Sequence, residues 1–512
     1  MKYTKAKGSI TLFAGMTFML VLQCIFTILE GGRMLELRKV AALNADAGIE
    51  SVFAEYCVPL WEDYHLLVCD LANDAGDIDL DRITERLGGI TTSNFAYGET
   101  TLLGSPRINF LRIEQDRIEY DRYTLLTDCQ GRVFEAAVSA YMKQNLPYEA
   151  VNKIKDSYHT MKGVEKNDSY DSNQISNALD SLENAKKEAQ NKTEFKKENG
   201  VTDGDKLPDI KDIPEPPEEN PLELVEEVQA GGILGQVLPA GTKISSKSVA
   251  NKDLVSKRTR IVGKNPKEPS NNLTDKALVE QYLVGYMSNY VEPISKHALK
   301  YELEYILAGK STDEENLKST VLRIMATREA ANFGYLMTDA SKQAEAYSLA
   351  LAIAGASANP AVIEAVKIGL LTSWAYCESV LDLRTLLSGE RIPIVKTPAT
   401  WTSTLSGMGE FLSGFAKAKS SAVGLNYTDY VGTMIMLQSV STISYRTMDL
   451  QELTIRKKDG YQNFRMDQAM CNMDMTVYYT HNSLFFDKVS LISKVIAPYE
   501  IPEETTYTYL KY

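Results

Sequence analysis

Residues Ile10 to Leu29 (ITLFAGMTFMLVLQCIFTIL) form a run of 20 residues without a charge. A helix of that length rises about 30 Å at ~1.5 Å per residue, the thickness of a bilayer's hydrocarbon core. Nothing else in the chain is so continuously apolar, which argues against a buried core helix here. Lys2, Lys5 and Lys7 precede the run with no acid among them, whereas Glu30, Arg33, Glu36, Arg38 and Lys39 follow it. The positive-inside rule then puts residues 1–9 in the cytoplasm and the chain beyond Leu29 outside. A cleaved secretory signal is the rival reading, with an apolar region of ~7–15 residues ending at small residues. This run is longer and ends in Glu30-Gly31-Gly32-Arg33, and the first A-x-A is Ala45-Asp46-Ala47. The reading is therefore a retained single-pass anchor in the cell membrane.

Helical character continues past the run. Residues 33–56 contain no proline and one glycine, Gly48. Met34, Ala41, Ala45, Gly48 and Val52 follow steps of 7, 4, 3 and 4, which is one helix face. Most of that face is small, so another helix can approach it closely. It is the candidate interaction face of a stem over residues 30–66. Either a partner helix or the chain's own domain covers it.

The start Lys7-Gly8-Ser9-Ile10-Thr11-Leu12-Phe13, the span, and then Glu30, Gly31 and Arg33 resemble TadE/TadG-type pseudopilins of tight-adherence (Flp) pilus systems. Glu50-Ser51-Val52-Phe53-Ala54-Glu55-Tyr56 and Leu60-Trp61-Glu62-Asp63-Tyr64 are similar to a narrower, uncharacterised membrane-anchored family associated with such loci in Gram-positive bacteria. The distal segments 301–310 (YELEYILAGK), 328–333 (REAANF), 374–382 (WAYCESVLD) and 446–450 (RTMDL) resemble the same family. The likeness covers both ends of the chain and skips the middle. It implies a non-enzymatic surface protein, minor-pilin-like or an assembly component of a Tad/Flp-type pilus or secretion apparatus. Its partners would be other pilus or pseudopilin subunits, met through helix packing. One position departs from type IV pilins. A prepilin-peptidase site at Gly8 calls for Glu five residues later, and that position is Phe13.

The 512 residues carry 55 Lys/Arg against 68 Asp/Glu, a net charge of −13. Such a chain lacks the basic footprint of a nucleic-acid binder. Six cysteines are too few for a disulfide scaffold. The length suggests about three domains.

Residues 67–159 read as the first part of an α+β head. Leu66-Leu67-Val68 is a short strand candidate, 108–126 is rich in β-branched and aromatic residues, and Gly131 to Asn145 is helical up to Pro147. Residues 160–275 change character. Between Asp171 and Ser270 the only aromatic residue is Phe195; residues 161–230 hold 18 acids and 9 lysines, and 241–269 hold 8 basic residues against two acids. A segment so short of aromatics reads as a flexible, Pro-containing insertion, with a transient helix at 173–198. Its basic run Lys257-Arg258-Thr259-Arg260 is either a solvated linker or a contact for an anionic wall polymer.

From 276 to 512 the chain is a helical part of the head with C-terminal strands. Ala277–Tyr290 is amphipathic, and Tyr301, Leu303 and Tyr305 alternate as on a strand. Ser311 with Glu314, or Thr312 with Glu315, fits a capping box. Helices follow at 313–337, 340–357, 360–388 (with Pro360 in its first turn) and 427–450. Residues 473–480 and 505–512 turn β-like and join a sheet begun near 108–126. The expected class is α+β: a transmembrane helix extended into a stem, then an extracellular head of helices on a small mixed sheet.

Gly309-Lys310-Ser311 invites a P-loop, but the glycine required five positions earlier is Glu304. Gly407-x-Gly409 lacks a third glycine, since position 412 is Leu412. Cys57, His65 and Cys69 are the one local thiol–imidazole group; their spacing fits no known zinc ribbon, and Cys57–Cys69 pairing stays open. Glu302 and Glu304 fall on the polar face of the expected strand, facing solvent. No catalytic, cofactor or metal site is assigned. The 28 Tyr against 14 Phe give a slight push toward an interaction protein. The alternative to the assembly role is a membrane-tethered enzyme acting on cell-wall polymers, which needs convergent buried acids.

Overall fold

The apolar run and the stem are one helix. In the computed structural model α1 (Lys7–Phe53) continues for 47 residues without a break. The structure describes residues 7–72, 78–95, 113–166, 170–198, 217, 219–249, 253–357, 359–483 and 499–510. Among these, α1 is the one helix long and apolar enough to cross a membrane. Ile10, Phe13, Phe18 and Ile28 are exposed on it. At Glu30 the character changes, and Leu37, Ala41, Ala45, Ile49 and Phe53 recur every four residues as a buried stripe.

That stripe packs on the chain's own sheet. The described chain divides into two compact units, and unit 1 comprises residues up to 141, 259–270 and 455 onward. Besides α1 it holds α2 (Val58–Tyr64), β1 (Cys69–Asp70), α3 (Asp81–Phe95), β2 (Ile113–Leu125), α4 (Arg132–Met142), β3 (Ala469–His481) and β4 (Tyr499–Thr508). β3 is central: β2 pairs along one edge, and β4 and the two-residue β1 share the other. All these pairings are antiparallel, so the sheet is not mixed. Met473, Met475, Val477 and Tyr479 alternate along β3 and form one core with the α1 stripe, Ile83 and Leu87 of α3, and Ile501 of β4. Polar contacts fix the register of α1 on the sheet. Tyr479 Oη accepts from Asn44 at 3.0 Å, Thr505 donates to Asp46 at 2.6 Å, and Phe53 stacks on Tyr507.

The candidate stem face is thus taken up internally. Ala41, Ala45, Gly48 and Val52 are buried, and Met34 packs at the edge of the same core. A Cβ on Gly48 would stand 2.9 Å from Leu87 Cδ2. Gly48→Leu is expected to lower the stability of unit 1 by ~1–3 kcal/mol through overpacking. That exceeds the ~1 kcal/mol returned by removing a helical glycine. A thermal melt unchanged or raised in this variant would contradict the packing.

Unit 2 comprises residues 142–258 and 271–454. Its helices are α5 (Tyr148–Glu165), α6 (Gln174–Glu198), α7 (Pro221–Ala230), α8 (Ile233–Val237), α9 (Leu273–Tyr286), α10 (Glu302–Ala308), α11 (Asp313–Thr338), α12 (Ala340–Ala354), α13 (Pro360–Leu387), α14 (Met408–Ser413), α15 (Tyr427–Met436) and α16 (Val440–Ile455). From Gly369 to Leu387 every residue of α13 is buried, so it is the core helix, with α6, α7, α11 and α12 packed around it. Thr312 caps α11 by accepting from the Glu315 N–H at 3.2 Å, and Pro360 opens α13 behind the Asn359 cap. The helix expected over 427–450 is broken at residues 437–439 into α15 and α16.

The described parts of 160–275 are built into these units, contrary to a flexible insertion. α6 presents Ile175, Ala178 and Leu182 to α13, where a Cβ on Gly369 would come within 2.6 Å of Ala178 Cβ. Gln174 accepts from Thr372 at 2.8 Å. Leu222, Val225, Val237, Leu254 and Val255 are also buried. Small and aliphatic side chains fill this interface, so a scarcity of aromatics is no sign of disorder. Residues 199–216 lie outside the described residues. Within unit 1, residues 259–270 line β2: the Tyr123 N–H donates to Lys264 O at 3.1 Å and the Gly263 N–H to Asp128 at 3.1 Å.

Candidate functional site

The chemistry-bearing residues of unit 2 are mostly inside it. Arg328 of α11 is fully buried and spends its guanidinium on five partners. Nε donates to Asp382 Oδ2 at 2.9 Å, and Nη2 to Asn332 Oδ1 at 3.0 Å. Nη1 donates to Tyr430 Oη at 2.9 Å and to the carbonyls of Pro393 and Ile394 at 2.9 and 2.5 Å. The spacing of Arg328 and Asn332 puts both on one face of α11. Glu378, Ser379 and Asp382 likewise share a face of α13. Asn332 Nδ2 donates to Ser379 Oγ at 2.9 Å and to Asp382 at 3.0 Å. Lys396, from the loop after α13, stands 2.6 Å from Asp382 Oδ1 and bonds Glu378. Glu378 also accepts from the Ser403 N–H at 2.8 Å and the Ser403 hydroxyl at 2.6 Å. Burial pushes the Asp382 carboxyl up, but Arg328 and Lys396 outweigh it and hold it below the usual range.

A second meeting joins α10 to α16. Arg446 donates to the carbonyls of Ile306 and Leu307 at 2.9 and 3.0 Å, satisfying the C-terminus of α10. Gly309 ends that helix with φ +68°, and a Cβ there would meet the Arg446 guanidinium at 2.5 Å. Gly309-Lys310-Ser311 is therefore a helix terminus leading into the Thr312 cap. Tyr305 donates to Asp449 at 2.9 Å, and Asp449 also accepts from Ser256 Oγ at 2.6 Å. The distal segments quoted above thus meet in pairs: 328–333 with 374–382, and 301–310 with 446–450.

Glu302 and Glu304 correct the strand expectation. They lie in the first turn of α10 and are fully buried, not solvent-facing. Glu302 Oε2 accepts from the Ser288 N–H at 3.0 Å and lies 2.6 Å from His297 Nδ1. Glu304 Oε1 accepts from the Tyr290 N–H at 2.9 Å and Tyr427 Oη at 2.7 Å. Carboxylates suit a helix N-terminus, and these two cap the loop before it. Six alternating residues read equally well as a strand, so only the tertiary partners settle the matter. Burial raises Glu304 to about 7, with Tyr427 and Tyr290 pulling the other way. Burial and then Asp429 raise Glu280 of α9 to about 8, and burial raises Glu329 to about 7 against the Tyr170 hydrogen bond. Sequence reasoning missed Glu280 and Glu329, which carry no local signal.

The other candidates take structural places. Arg258 is buried and forks onto Glu452 with two bonds of 2.7 Å, so it is neither a solvated linker residue nor a polymer contact. His65 stacks on Tyr141, with ring centroids 4.9 Å apart. Cys57 and Cys69 are buried free thiols, pushed up by burial to about 12 and about 11. Among the described residues no three His, Cys, Asp or Glu side chains are grouped as a metal site. Ile10 and Leu29, the expected span ends, lie on the exposed part of α1.

These features define an α+β protein with an N-terminal apolar helix, a small sheet unit and a helical unit braced by buried ion pairs. The chain belongs to a family of unknown function, DUF5702, which matches residues 211–481. That range contains both buried networks and omits α1. No curated protein and no solved structure matches the chain.

Proposed function

We propose that the protein is a single-pass surface protein, minor-pilin-like or an assembly component of a Tad/Flp-type pilus or secretion apparatus. Residues 1–9 are cytoplasmic and the chain beyond Leu29 lies outside the membrane. The observation that carries this reading is the continuity of α1. Its first half offers an apolar surface to lipid or to other helices, and its second half is locked into a sheet. A rod of this kind transmits the position of the span to the folded unit, as a subunit that assembles by helix packing requires. Since the sheet occupies Ala41, Ala45 and Gly48, the partner meets the opposite side of α1. Leu35 and Leu43 are 67% and 69% exposed there.

The rival role, a tethered enzyme on wall polymers, draws on the raised carboxyls of Glu280, Glu304 and Glu329. The described cleft of unit 2 is lined by Glu165 and by none of those three. A general acid and base must both reach one substrate, so the assembly role is preferred. Two measurements test it. Val262→Cys, at a position 66% exposed, should react with an impermeant maleimide on intact, wall-stripped cells. Labelling only after permeabilisation would reverse the orientation. The full chain, purified from native membranes, should bring pilus or secretion subunits with it. Recovery of the chain alone, with wall-hydrolysing activity, would favour the rival.

A further inference from the structure

Unit 2 opens a cleft of about 420 Å³, within the ~300–1,000 Å³ range of small-molecule sites. It is walled by the end of α5, by Tyr170, by α11 and by the residues closing α15. Its polar groups are of two kinds. Arg323 of α11 makes one long bond, Nη1 to Leu307 O at 3.4 Å. That carbonyl already accepts from Gln438 Nε2 at 2.7 Å and from Arg446 at 3.0 Å. Most of Arg323's five donors are therefore unspent, and the second guanidinium nearby adds to the attraction for an anion. Glu165 lines the cleft too and makes no ion pair with Arg323; burial raises its carboxyl against Arg323's opposite pull. Tyr170 is held in place, donating to Glu329 at 2.6 Å and lying edge-on to Phe333. Met434 and Leu437 supply an apolar wall.

A cation with free donors, a carboxylate outside any ion pair and an apolar wall in one small cleft complement a zwitterion with an apolar side chain. We propose that the cleft binds a short peptide, with the carboxylate on Arg323 and the amine on Glu165. A side chain of the ligand rests on Met434 and Leu437. This site is built from elements of unit 2 alone and is independent of the assembly role, so either can fail without the other.

The probe is alanyl-leucine, titrated calorimetrically into the full chain in detergent, beside its N-acetyl and C-terminal amide forms. Saturable one-to-one binding is expected, weakened at least ~10-fold by blocking either end, since each block removes a charge-assisted hydrogen bond. Arg323→Met should weaken the free dipeptide at least ~10-fold with an unchanged melting temperature, because Arg323 is exposed. Glu165→Gln should weaken the free dipeptide and leave the N-acetyl form unaffected. No saturation up to ~10 mM, well above the affinity expected of a built site, would overturn the proposal. So would equal binding of the free and amidated dipeptides, or wild-type affinity in Arg323→Met.

Discussion

Replacing Arg328 by Met is expected to destabilise unit 2 by roughly 3–5 kcal/mol, the range for removing one partner of a buried ion pair. The guanidinium serves a carboxylate, an amide oxygen, a hydroxyl and two backbone carbonyls, all but the Pro393 carbonyl in buried contacts. Removing it leaves the Pro393 and Ile394 carbonyls without that donor and Asp382 with half its positive charge. Arg328→Lys should also fail, because one ammonium cannot reproduce a planar fork reaching five acceptors. Denaturant unfolding followed by tryptophan fluorescence reads this directly. Trp374 and Trp401 are in unit 2, and Trp61→Phe silences the third tryptophan. A midpoint in Arg328→Met equivalent to a loss below ~1 kcal/mol would mean the network is dispensable.

Glu280→Gln is expected to act in the opposite direction, and only at higher pH. The Glu280 carboxyl is buried on α9, and a Cβ at Gly432 of α15 would collide with its Oε1. Its pKa rises to about 8 in the folded protein from an ordinary 4.5. The folded state therefore holds a proton that the unfolded state releases between these values. Stability is greatest below about 4.5 on this account and falls as pH rises to about 8, beyond which the penalty is constant. A glutamine of the same shape carries no such penalty. The variant should match wild type near pH 5 and exceed it at pH 9 by on the order of 3–5 kcal/mol. Glu304 and Glu329 push in the same direction over a window ending near 7. A wild-type stability curve as flat as the variant's from pH 5 to 9 would show that Glu280 is ionised in the fold.

What was legible in the chain follows from how local the signal is. The apolar run, the Thr312 cap, Pro360 at the start of α13 and the alternation of 473–480 each depend on neighbours in sequence, and each lies in the element expected of it. The face of α1 that includes Ala41 and Gly48 was recognisable as a packing face, but its occupant was not. Periodicity says that a face is covered, and only the sheet says by what. Ile175, Ala178 and Leu182 carry the helical period of α6 inside an acidic, aromatic-poor segment, where composition hides it. Glu302 and Glu304 carry no local sign of burial, because their partners, Ser288, His297, Tyr290 and Tyr427, come from loops and helices up to 123 residues away. The buried networks were visible only as strings resembling a family; that Arg328 meets Asp382 and Arg446 meets Leu307 is a fact of tertiary structure.

Site-specific photo-crosslinking in living cells tests whether α1 is an anchor and rod whose outward face meets other subunits. A photoreactive residue placed at Leu35 or Leu43 should give crosslinks to other pilus or secretion subunits. The same residue at Ala45, which is buried against the sheet, should give only products within the chain. Partner crosslinks from position 45, or none from positions 35 and 43 in cells expressing the apparatus, would contradict that role for α1.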